Sequence, residues 1–285
     1  MKTGFNLLIW TTNVSEEHFG HLEKLKEVGY DGVEVPLFEG DAAHYQKLAQ
    51  VLKDNGLKCT SVTVIADEEC NPISANPKHR EGAVDYLKGI IDRSALLGSE
   101  TLCGPFHSPL GVFSGTGATD DEKKYGAEVH HEIAEYGKQA GLKFALEYLN
   151  RFECYFLNTM EDAVNYVKMV DHPNFGTMYD TFHANIEEKD PIGCIAPAFE
   201  FINHVHISEN DRGTPGKGHI DFPGTLKKLH ECGWDGWLTI ESFGRALPDL
   251  AAATRVWRDF FPSLEYVYTE GLKYVKEQWE LMIKR

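Results

Sequence analysis

The sequence lacks a long hydrophobic run. A membrane-spanning helix needs about 20 consecutive, mostly apolar residues, and the only sizeable apolar run near the N-terminus is Phe5–Trp10. That run is also shorter than the apolar core of a secretory signal peptide. We therefore expect no contact with a membrane and a location in the cytoplasm.

Cysteine is sparse, and its spacing is irregular. The chain of 285 residues has 6 cysteines and no C-x-x-C pair, which argues against a thiolate zinc site or a disulfide framework. Free thiols are typical of a reducing compartment. The six are Cys59, Cys70, Cys103, Cys154, Cys194 and Cys232.

Positive charge is also in short supply. There are 28 Lys and Arg against 44 Asp and Glu, which gives a net charge of -16. Nucleic-acid binders usually carry a basic patch, so no nucleic-acid partner is expected. No glycine-rich phosphate loop and no Pro/Gly/Ser linker interrupts the chain. The sequence therefore predicts one domain over residues 1–285 and an unphosphorylated ligand.

Eight short apolar runs alternate with amphipathic segments along the chain. The strands are predicted at Phe5–Ile9, Gly32–Pro36, Lys58–Ile65 and Thr101–Gly104, and in four runs that end at Glu147, Asp180, His206 and Glu241. Helices are predicted from Ser15 to Val28, at Asp41–Asn55, Asn76–Leu97, Asp120–Ala140, from Thr159, at Asp190–Phe199, Thr225–Cys232 and Pro248–Lys284, with a break near Phe261-Pro262. This alternation predicts an α/β fold, a closed (β/α)8 TIM barrel.

The last four predicted strands end in metal-binding side chains. The steps from Glu147 to Asp180, to His206 and to Glu241 are 33, 26 and 35 residues, about one βα unit each. A single carboxylate at a strand end often only caps a helix. One metal-binding side chain in each of four βα units favours a shared site, because parallel barrel strands converge at their carboxyl ends. Two Glu, one Asp and one His suit a divalent ion such as Mn²⁺, Mg²⁺ or Co²⁺.

Four longer motifs follow one another along the chain. They are Glu147-x-x-Asn150-Arg151-Phe152-Glu153, Asp180-Thr181-Phe182-His183-x-Asn185-Ile186-Glu187-Glu188, His204-x-His206-x-x-Glu209-x-x-Arg212-x-x-Pro215-Gly216-x-Gly218 and Glu241-x-Phe243. In type and order they resemble the motifs of the ketose 3-epimerases of the D-tagatose/D-allulose type, within the xylose-isomerase-like TIM barrels. The resemblance covers nearly the whole chain.

The resemblance implies a role for each matching residue. Glu147, Asp180, His206 and Glu241 would bind one divalent metal ion, with Mn²⁺ favoured over Co²⁺ and Mg²⁺. Glu147 and Glu241 would also be the catalytic acid/base pair, and Glu153, His183 and Arg212 would contact the sugar. The expected reaction inverts C3 of a free ketohexose or ketopentose through a metal-stabilised enediolate. By resemblance we also expect a homodimer or homotetramer.

Other activities of the same scaffold stay open at this point. They are an aldose–ketose isomerase of the hydroxypyruvate or xylose type, an inosose dehydratase, an apurinic endonuclease and a sugar-binding barrel without catalysis. The endonuclease needs more metal ligands and a basic groove, which the net acidity disfavours.

The sequence departs from the family pattern in three places: Ala184, the segment Leu8–Thr12 and the segment His219–Pro223. All three are expected near the pocket wall, where they would affect the choice of sugar.

Five further polar residues have more than one interpretation. His204 either ligates the metal or supports the layer beneath it, and support is favoured. Arg151 is expected to form a structural ion pair, and His107 and His219 are loop histidines within possible reach of the substrate. Glu34 is expected either at the mouth of the barrel, in contact with a metal ligand or the substrate, or buried against a lysine.

Overall fold

The structure, a computed structural model, describes residues 1–284, and its centre is a closed parallel sheet. The strands follow one another around the barrel in chain order, and β8 pairs with β1. They are β1 (Lys2–Asn6), β2 (Gly32–Pro36), β3 (Lys58–Val62), β4 (Thr101–Gly104), β5 (Lys143–Leu146), β6 (Phe175–Asp180), β7 (Ile202–Ile207) and β8 (Trp237–Ile240). The predicted fold class, a (β/α)8 TIM barrel, is confirmed. That all of residues 1–285 form one domain stays a prediction.

Helices surround the barrel. They are α1 (Phe19–Val28), α2 (Ala42–Asp54), α3 (Pro77–Leu97), α4 (Asp120–Lys138), α5 (Met160–Val170), α6 (Thr181–Glu187), α7 (Ile195–Ala198), α8 (Phe222–Glu231), α9 (Pro248–Ala253) and α10 (Leu264–Ile283). Within residues 1–284, none of these helices has both the length and the apolar character that a bilayer crossing requires.

Local signals explain where several helices begin and end. Thr119 and Glu122 form a capping box at the start of α4, and Thr159 and Asp162 form one at the start of α5. Each satisfies backbone N–H groups that the first helical turn leaves without partners. Gly98 ends α3 with φ 69°, a left-handed conformation that glycine adopts without strain.

The first strand lies earlier than the apolar pattern predicts. β1 ends at Asn6, and the predicted strand residues Leu7–Ile9 form a 3-10 turn instead. The Asn6 side chain accepts a hydrogen bond from the Leu8 backbone N–H (2.8 Å), which turns the chain out of the sheet. Leu7, Leu8 and Ile9 are still buried, so their apolar character reflects packing rather than strand structure.

Two predicted helices differ in extent from those in the structure. The first half of the predicted helix at Asp190–Phe199 is absent, because only α7 and the 3-10 turn Phe199–Phe201 are helical there. The predicted helix Pro248–Lys284 is split into α9 and α10. The break lies over 254–263 and is therefore wider than a single kink at Pro262.

Alternation along the strands places an apolar layer outside the barrel and the polar site residues inside it, beside a smaller apolar cluster that includes Val62, Ala145 and Met178. Phe5, Val33, Leu102 and Phe144 belong to the large hydrophobic cluster that also contains the inner faces of the helices. The neighbouring strand residues carry the polar side chains of the barrel interior, because successive side chains of a strand point to opposite faces. The functional groups therefore project into the barrel from a rigid, packed wall.

One buried histidine of this wall gives stability a pH dependence. His130 on α4 contacts the Tyr166 hydroxyl (2.6 Å) and the Phe106 carbonyl (3.2 Å) through its two ring nitrogens. Burial lowers the pKa of His130 to about 4. The folded state therefore favours the neutral ring, and the associated stability is complete above the unfolded pKa near 6.5 and is lost as the pH falls toward 4.

We expect His130→Gln to flatten this pH dependence. Between pH 7 and pH 5, protonation of His130 in the unfolded state should cost the wild type about 2 kcal/mol, which the variant does not lose. Urea unfolding at both pH values measures the difference. Parallel losses of unfolding free energy in the two proteins would contradict the assignment to His130.

Candidate metal centre and active site

Four predicted ligands meet at the carboxyl ends of their strands. Each of Glu147, Asp180, His206 and Glu241 offers one ligand atom, and these four atoms lie within 4.8 Å of one another. All four side chains are buried, with at most 5% of the residue exposed. Asp180 and His206 are the last inward-facing residues of β6 and β7, while Glu147 and Glu241 directly follow β5 and β8.

Two atoms of this cluster lack hydrogen-bond partners. His206 Nδ1 and Asp180 Oδ2 are both buried and unpaired. They lie 3.5 Å apart, and His206 Nδ1 is 3.3 Å from Glu241 Oε1. Buried polar atoms are normally satisfied, so unpaired acceptors that share one centre fit a cation. The donor set of three carboxylates and one imidazole suits a hard or borderline divalent ion.

Asp180 also caps a helix. Its Oδ1 accepts hydrogen bonds from the backbone N–H groups of Phe182 (2.6 Å) and His183 (3.1 Å) at the start of α6. The common role of a strand-end carboxylate is therefore present here. It uses only one oxygen, and Oδ2 remains directed at the cluster.

The environment favours the protonated form of one carboxyl group. Burial, followed by the negative charge of Glu241, raises the pKa of Glu147 well above its usual value. Two carboxylates this close cannot both ionise freely. Glu147 and Glu241 can therefore share one proton, so that one of them is an acid while the other is a base.

His183 is fixed as a neutral hydrogen-bond donor. Burial lowers its pKa to about 3, and its Nδ1 accepts hydrogen bonds from the Asn150 backbone N–H (3.0 Å) and side-chain amide (3.1 Å). The ring proton must therefore be on Nε2, which lies 3.5 Å from Glu147 Oε1. His183 thus presents an N–H group beside the cluster.

Glu153 and Arg212 form a buried ion pair next to His183. Their closest atoms are 3.1 Å apart, and Asn150 Nδ2 donates to Glu153 Oε1 at 2.8 Å. The Arg212 guanidinium lies over the Phe182 ring at 4.1 Å and donates to the Thr254 carbonyl at 3.0 Å. This cation is held in place on several sides.

The loop after β7 presents Arg212 in an unusual conformation. Arg212 has φ 59°, which is uncommon for a bulky residue. Glu209 stabilises the loop, because its carboxylate accepts hydrogen bonds from the backbone N–H groups of Gly216 (2.9 Å) and Ile220 (3.1 Å). The sequence alone gave Glu209 no role, although it lies within the third motif.

A cavity of ≈ 420 Å³ opens above these residues. Glu147, Glu153, His183, Arg212 and Glu241 line it together with an apolar wall. The apolar wall includes Leu8, Phe38, Val62, Val64, Leu149, Phe243, Leu250 and Ala253. All seven predicted site residues are therefore brought to one place, at or directly beneath a single cavity.

The remaining sequence expectations have mixed outcomes. Arg151 pairs with Glu187 at the surface, at 2.9 Å, as expected. His204 lies 2.8 Å from Glu34, in the layer beneath the cluster, as expected. Glu34 is buried in the barrel, but the expected lysine partner is wrong: histidines and neutral donors surround it. His107 is buried and contacts Ser108, at 2.8 Å.

Of the three departures from the family pattern, the segment Leu8–Thr12 lies at the pocket. Leu8 and Thr12 line the cavity. Ala184 instead packs in the main hydrophobic cluster, and His219 is exposed on the loop after β7. The expectation of a pocket position is therefore wrong for Ala184 and His219.

Asn150 is the clearest site residue that the sequence reasoning missed. It lies in the first motif, three residues after Glu147, but the motif does not reveal that it joins His183 to Glu153.

We expect Asn150→Ala to lower kcat/KM for the preferred ketose by about 10- to 100-fold, since it removes buried hydrogen bonds to a charged group and to a substrate-facing ring.

Arg151→Ala is the matched control for Asn150→Ala. The Arg151 guanidinium is 62% exposed and pairs with the largely buried Glu187, and neither residue lines the cavity. The kinetics of Arg151→Ala should therefore stay close to wild type. Steady-state assays of both variants measure kcat/KM and test this prediction. Equal kinetics for Asn150→Ala and wild type would rule out the connecting role of Asn150.

Comparison with known proteins agrees with this geometry. Residues 22–277 match the sequence model of the family described as "Xylose isomerase-like TIM barrel". A probable ketose 3-epimerase of Synechocystis sp. is 32% identical over 288 residues, which cover 98% of this chain and 97% of the relative.

Solved structures give the same picture. An L-ribulose 3-epimerase superposes with a TM-score of 0.93 at 25% identity and covers 99% of this chain and 96% of its own. A D-psicose 3-epimerase from Clostridium cellulolyticum H10, solved with D-tagatose, superposes with a TM-score of 0.90 at 27% identity. The match covers 98% of this chain and 99% of that structure's chain.

Proposed function

Since the chain belongs to the ketose 3-epimerase family of xylose isomerase-like TIM barrels, we propose that it is an isomerase that inverts C3 of a free ketose. The observation that carries this proposal is the shared position of Glu147 and Glu241. Both carboxylates belong to the buried cluster, within 4.8 Å, and both line the cavity.

The metal is part of the proposal. Glu147, Asp180, His206 and Glu241 would hold one divalent ion, for which the unpaired atoms of Asp180 and His206 provide the support. Such an ion supplies a Lewis acid that stabilises the negative charge of the enediolate formed when C3 loses its proton. We propose Mn²⁺, with Co²⁺ and Mg²⁺ as alternatives of similar ligand preference.

Inversion at C3 requires proton removal from one face and proton delivery to the other. In one direction the ionised Glu241 takes the proton as the C3–H bond breaks, and its electrons form the C2–C3 double bond. Glu147, in its protonated form, then gives its proton to C3 from the opposite face. The reverse reaction exchanges the two roles.

Three further residues would orient the sugar. His183 offers its Nε2–H to a substrate oxygen, because Asn150 occupies Nδ1. Arg212 places positive charge near the carbonyl oxygen, and Glu153 accepts hydrogen bonds from sugar hydroxyls. The ion pair between Glu153 and Arg212 keeps both in position before substrate arrives.

The substrate is proposed to be an unphosphorylated ketohexose or ketopentose. Relatives are named for D-psicose and L-ribulose, and a cavity of ≈ 420 Å³ has room for either size of sugar. The charged residues that line this space are Arg212 and the carboxylates of Glu39, Glu147, Glu153, Glu241 and Asp249, a set that disfavours a phosphate group. A cytoplasmic location, favoured by six free cysteines, and assembly as a homodimer or homotetramer complete the proposal.

The test is solvent exchange at C3. The Mn²⁺-loaded protein is incubated in deuterium oxide with D-fructose, D-tagatose or L-ribulose, and the products are followed by NMR. We expect deuterium at C3 and formation of the C3 epimer. A product with a C1 carbonyl would indicate an aldose–ketose isomerase instead, loss of water would indicate a dehydratase, and no exchange with any ketose would reject the proposal.

A further inference from the structure

A second group of buried polar side chains lies directly beneath the four proposed ligands. We call it the Glu34 cluster: Glu34, Asn6, Thr60, Cys103 and His204. All five are at most 3% exposed, and Glu34 is at 0%. Its members come from β1, β2, β3, β4 and β7, so five strands meet at one carboxylate. The proton chemistry described above makes no use of this group.

The Glu34 carboxylate accepts hydrogen bonds on both oxygens. Oε1 accepts from His206 Nε2 at 2.7 Å and from Asn6 Nδ2 at 2.9 Å. Oε2 accepts from Thr60 Oγ1 at 2.9 Å and from Cys103 Sγ at 3.1 Å. An ionised carboxylate accepts at both atoms, whereas an amide in its place would turn one acceptor into a donor.

We propose that Glu34 is a positioning residue that sets the affinity of the metal site, by fixing His206 directly and Glu241 through Asn6. This inference rests on the proposed metal site but not on the identity of the sugar.

The direct link fixes the tautomer of His206. A carboxylate oxygen cannot donate, so the bond to Glu34 requires the proton on His206 Nε2. The lone pair is then on Nδ1, which faces Asp180 and Glu241. A carboxylate behind a ligating imidazole also increases its strength as a ligand. Without Glu34, the ring could flip or protonate Nδ1, and either change removes a ligand.

The indirect link reaches the opposite side of the site. Asn6 Nδ2 donates to Glu34 Oε1 at 2.9 Å and to Glu241 Oε1 at 3.2 Å. The amide is fixed in turn, because its Oδ1 accepts from the Leu8 backbone N–H. The turn that ends β1 therefore sets the direction in which Asn6 donates, and two of the four ligands depend on one buried carboxylate.

The experiment measures metal affinity, not turnover. Full-length wild type and Glu34→Gln are freed of metal with chelator and titrated with Mn²⁺ by calorimetry. We expect one ion per wild-type chain and a dissociation constant about 10- to 100-fold higher in Glu34→Gln, the usual size of the effect when a partner behind a ligand is lost.

Thr60→Val is the matched control. It keeps the shape of the side chain and removes a hydrogen bond from Oε2, on the far side from His206 and Asn6. Its thermal stability should fall, but its Mn²⁺ affinity should stay within about threefold of wild type. A weakening as large as that of Glu34→Gln would show that any damage beneath the site suffices, and would overturn the specific role of Glu34.

Wild-type NMR provides a second measurement that needs no variant, in case Glu34→Gln does not fold. In ¹⁵N-labelled protein loaded with diamagnetic Mg²⁺, we expect His206 to carry its proton on Nε2 in a slowly exchanging hydrogen bond. A proton on Nδ1 would overturn the proposal.

The remaining outcomes separate this proposal from the proposed function. If wild type takes up Mn²⁺ and Glu34→Gln binds it equally well, the role of Glu34 alone fails. If wild type takes up no ion, the metal site and the positioning role fail together. Two ions per chain, with the second lost in Cys103→Ala, would mean that the Glu34 cluster is itself a metal site, which overturns the positioning role.

Discussion

Replacing Glu241 by Gln should lower the epimerisation rate by at least about 10⁴-fold. The amide cannot take the C3 proton, and loss of a positioned base typically costs about 10²–10⁴-fold. The same change removes a charged ligand from the proposed metal site, where a weaker Lewis acid costs further transition-state stabilisation. The two losses act on the same step, so their combined effect should exceed either one alone.

The pattern of residual exchange distinguishes two opposed acids from one. In Glu241→Gln at saturating Mn²⁺, Glu147 can still exchange the C3 proton on its own face. One C3 epimer should therefore exchange deuterium faster than it converts to the other, and the preference should reverse in Glu147→Gln. Each epimer is incubated separately in deuterium oxide and followed by NMR.

Glu231→Gln, at the surface of α8, is the matched change of charge and should leave the rates near wild type. If both active-site variants exchange the two epimers equally, neither Glu147 nor Glu241 is restricted to one face of the sugar. That result would refute the division of roles between Glu147 and Glu241.

Removal of the metal should abolish activity and destabilise the fold. Without a cation, three carboxylates repel one another, and Asp180 Oδ2 and His206 Nδ1 remain buried without partners. An ion at about 100 times its dissociation constant stabilises the native state by about 2.7 kcal/mol. For a chain of this size that corresponds to a shift in Tm of about 5–10 °C.

Chelation followed by calorimetric scans and epimerisation assays measures both effects. Activity should fall below about 1% and return with Mn²⁺ or Co²⁺ more fully than with Mg²⁺, consistent with the ligand set. Asp180→Asn is the companion variant: its Tm should respond little to added ion. Full activity after exhaustive chelation would refute the metal requirement.

The strand ends were the most predictable feature of the site. Glu147, Asp180, His206 and Glu241 are separated by about one βα unit each, and barrel closure requires such positions to converge. This inference needs only strand order and direction, so shifted element bounds do not affect it. β1 ends three residues before its predicted end, yet the four side chains still meet within 4.8 Å.

Contacts across the barrel were not predictable in the same way. Glu34 on β2 meets His206 on β7, 172 positions later in the chain, through the barrel interior. Nothing in the spacing of either residue indicates this pairing, which depends on barrel width and side-chain length. Likewise, α6 was not predicted, because its seven residues are few for a periodic pattern and its main signal is the cap by Asp180.

Arg212 ties the sugar site to the segment that follows α9. Arg212 lines the cavity and also donates to the Thr254 carbonyl directly after α9, while Leu250 and Ala253 of α9 line the same cavity. In directed evolution toward a new ketose, the apolar lining residues can therefore be varied, but Arg212 cannot. Libraries at Leu8, Val62 and Val64 can reshape the pocket without affecting this hydrogen bond. A change at Arg212 would remove the hydrogen bond that holds Thr254, and with it the end of α9, beside the cavity.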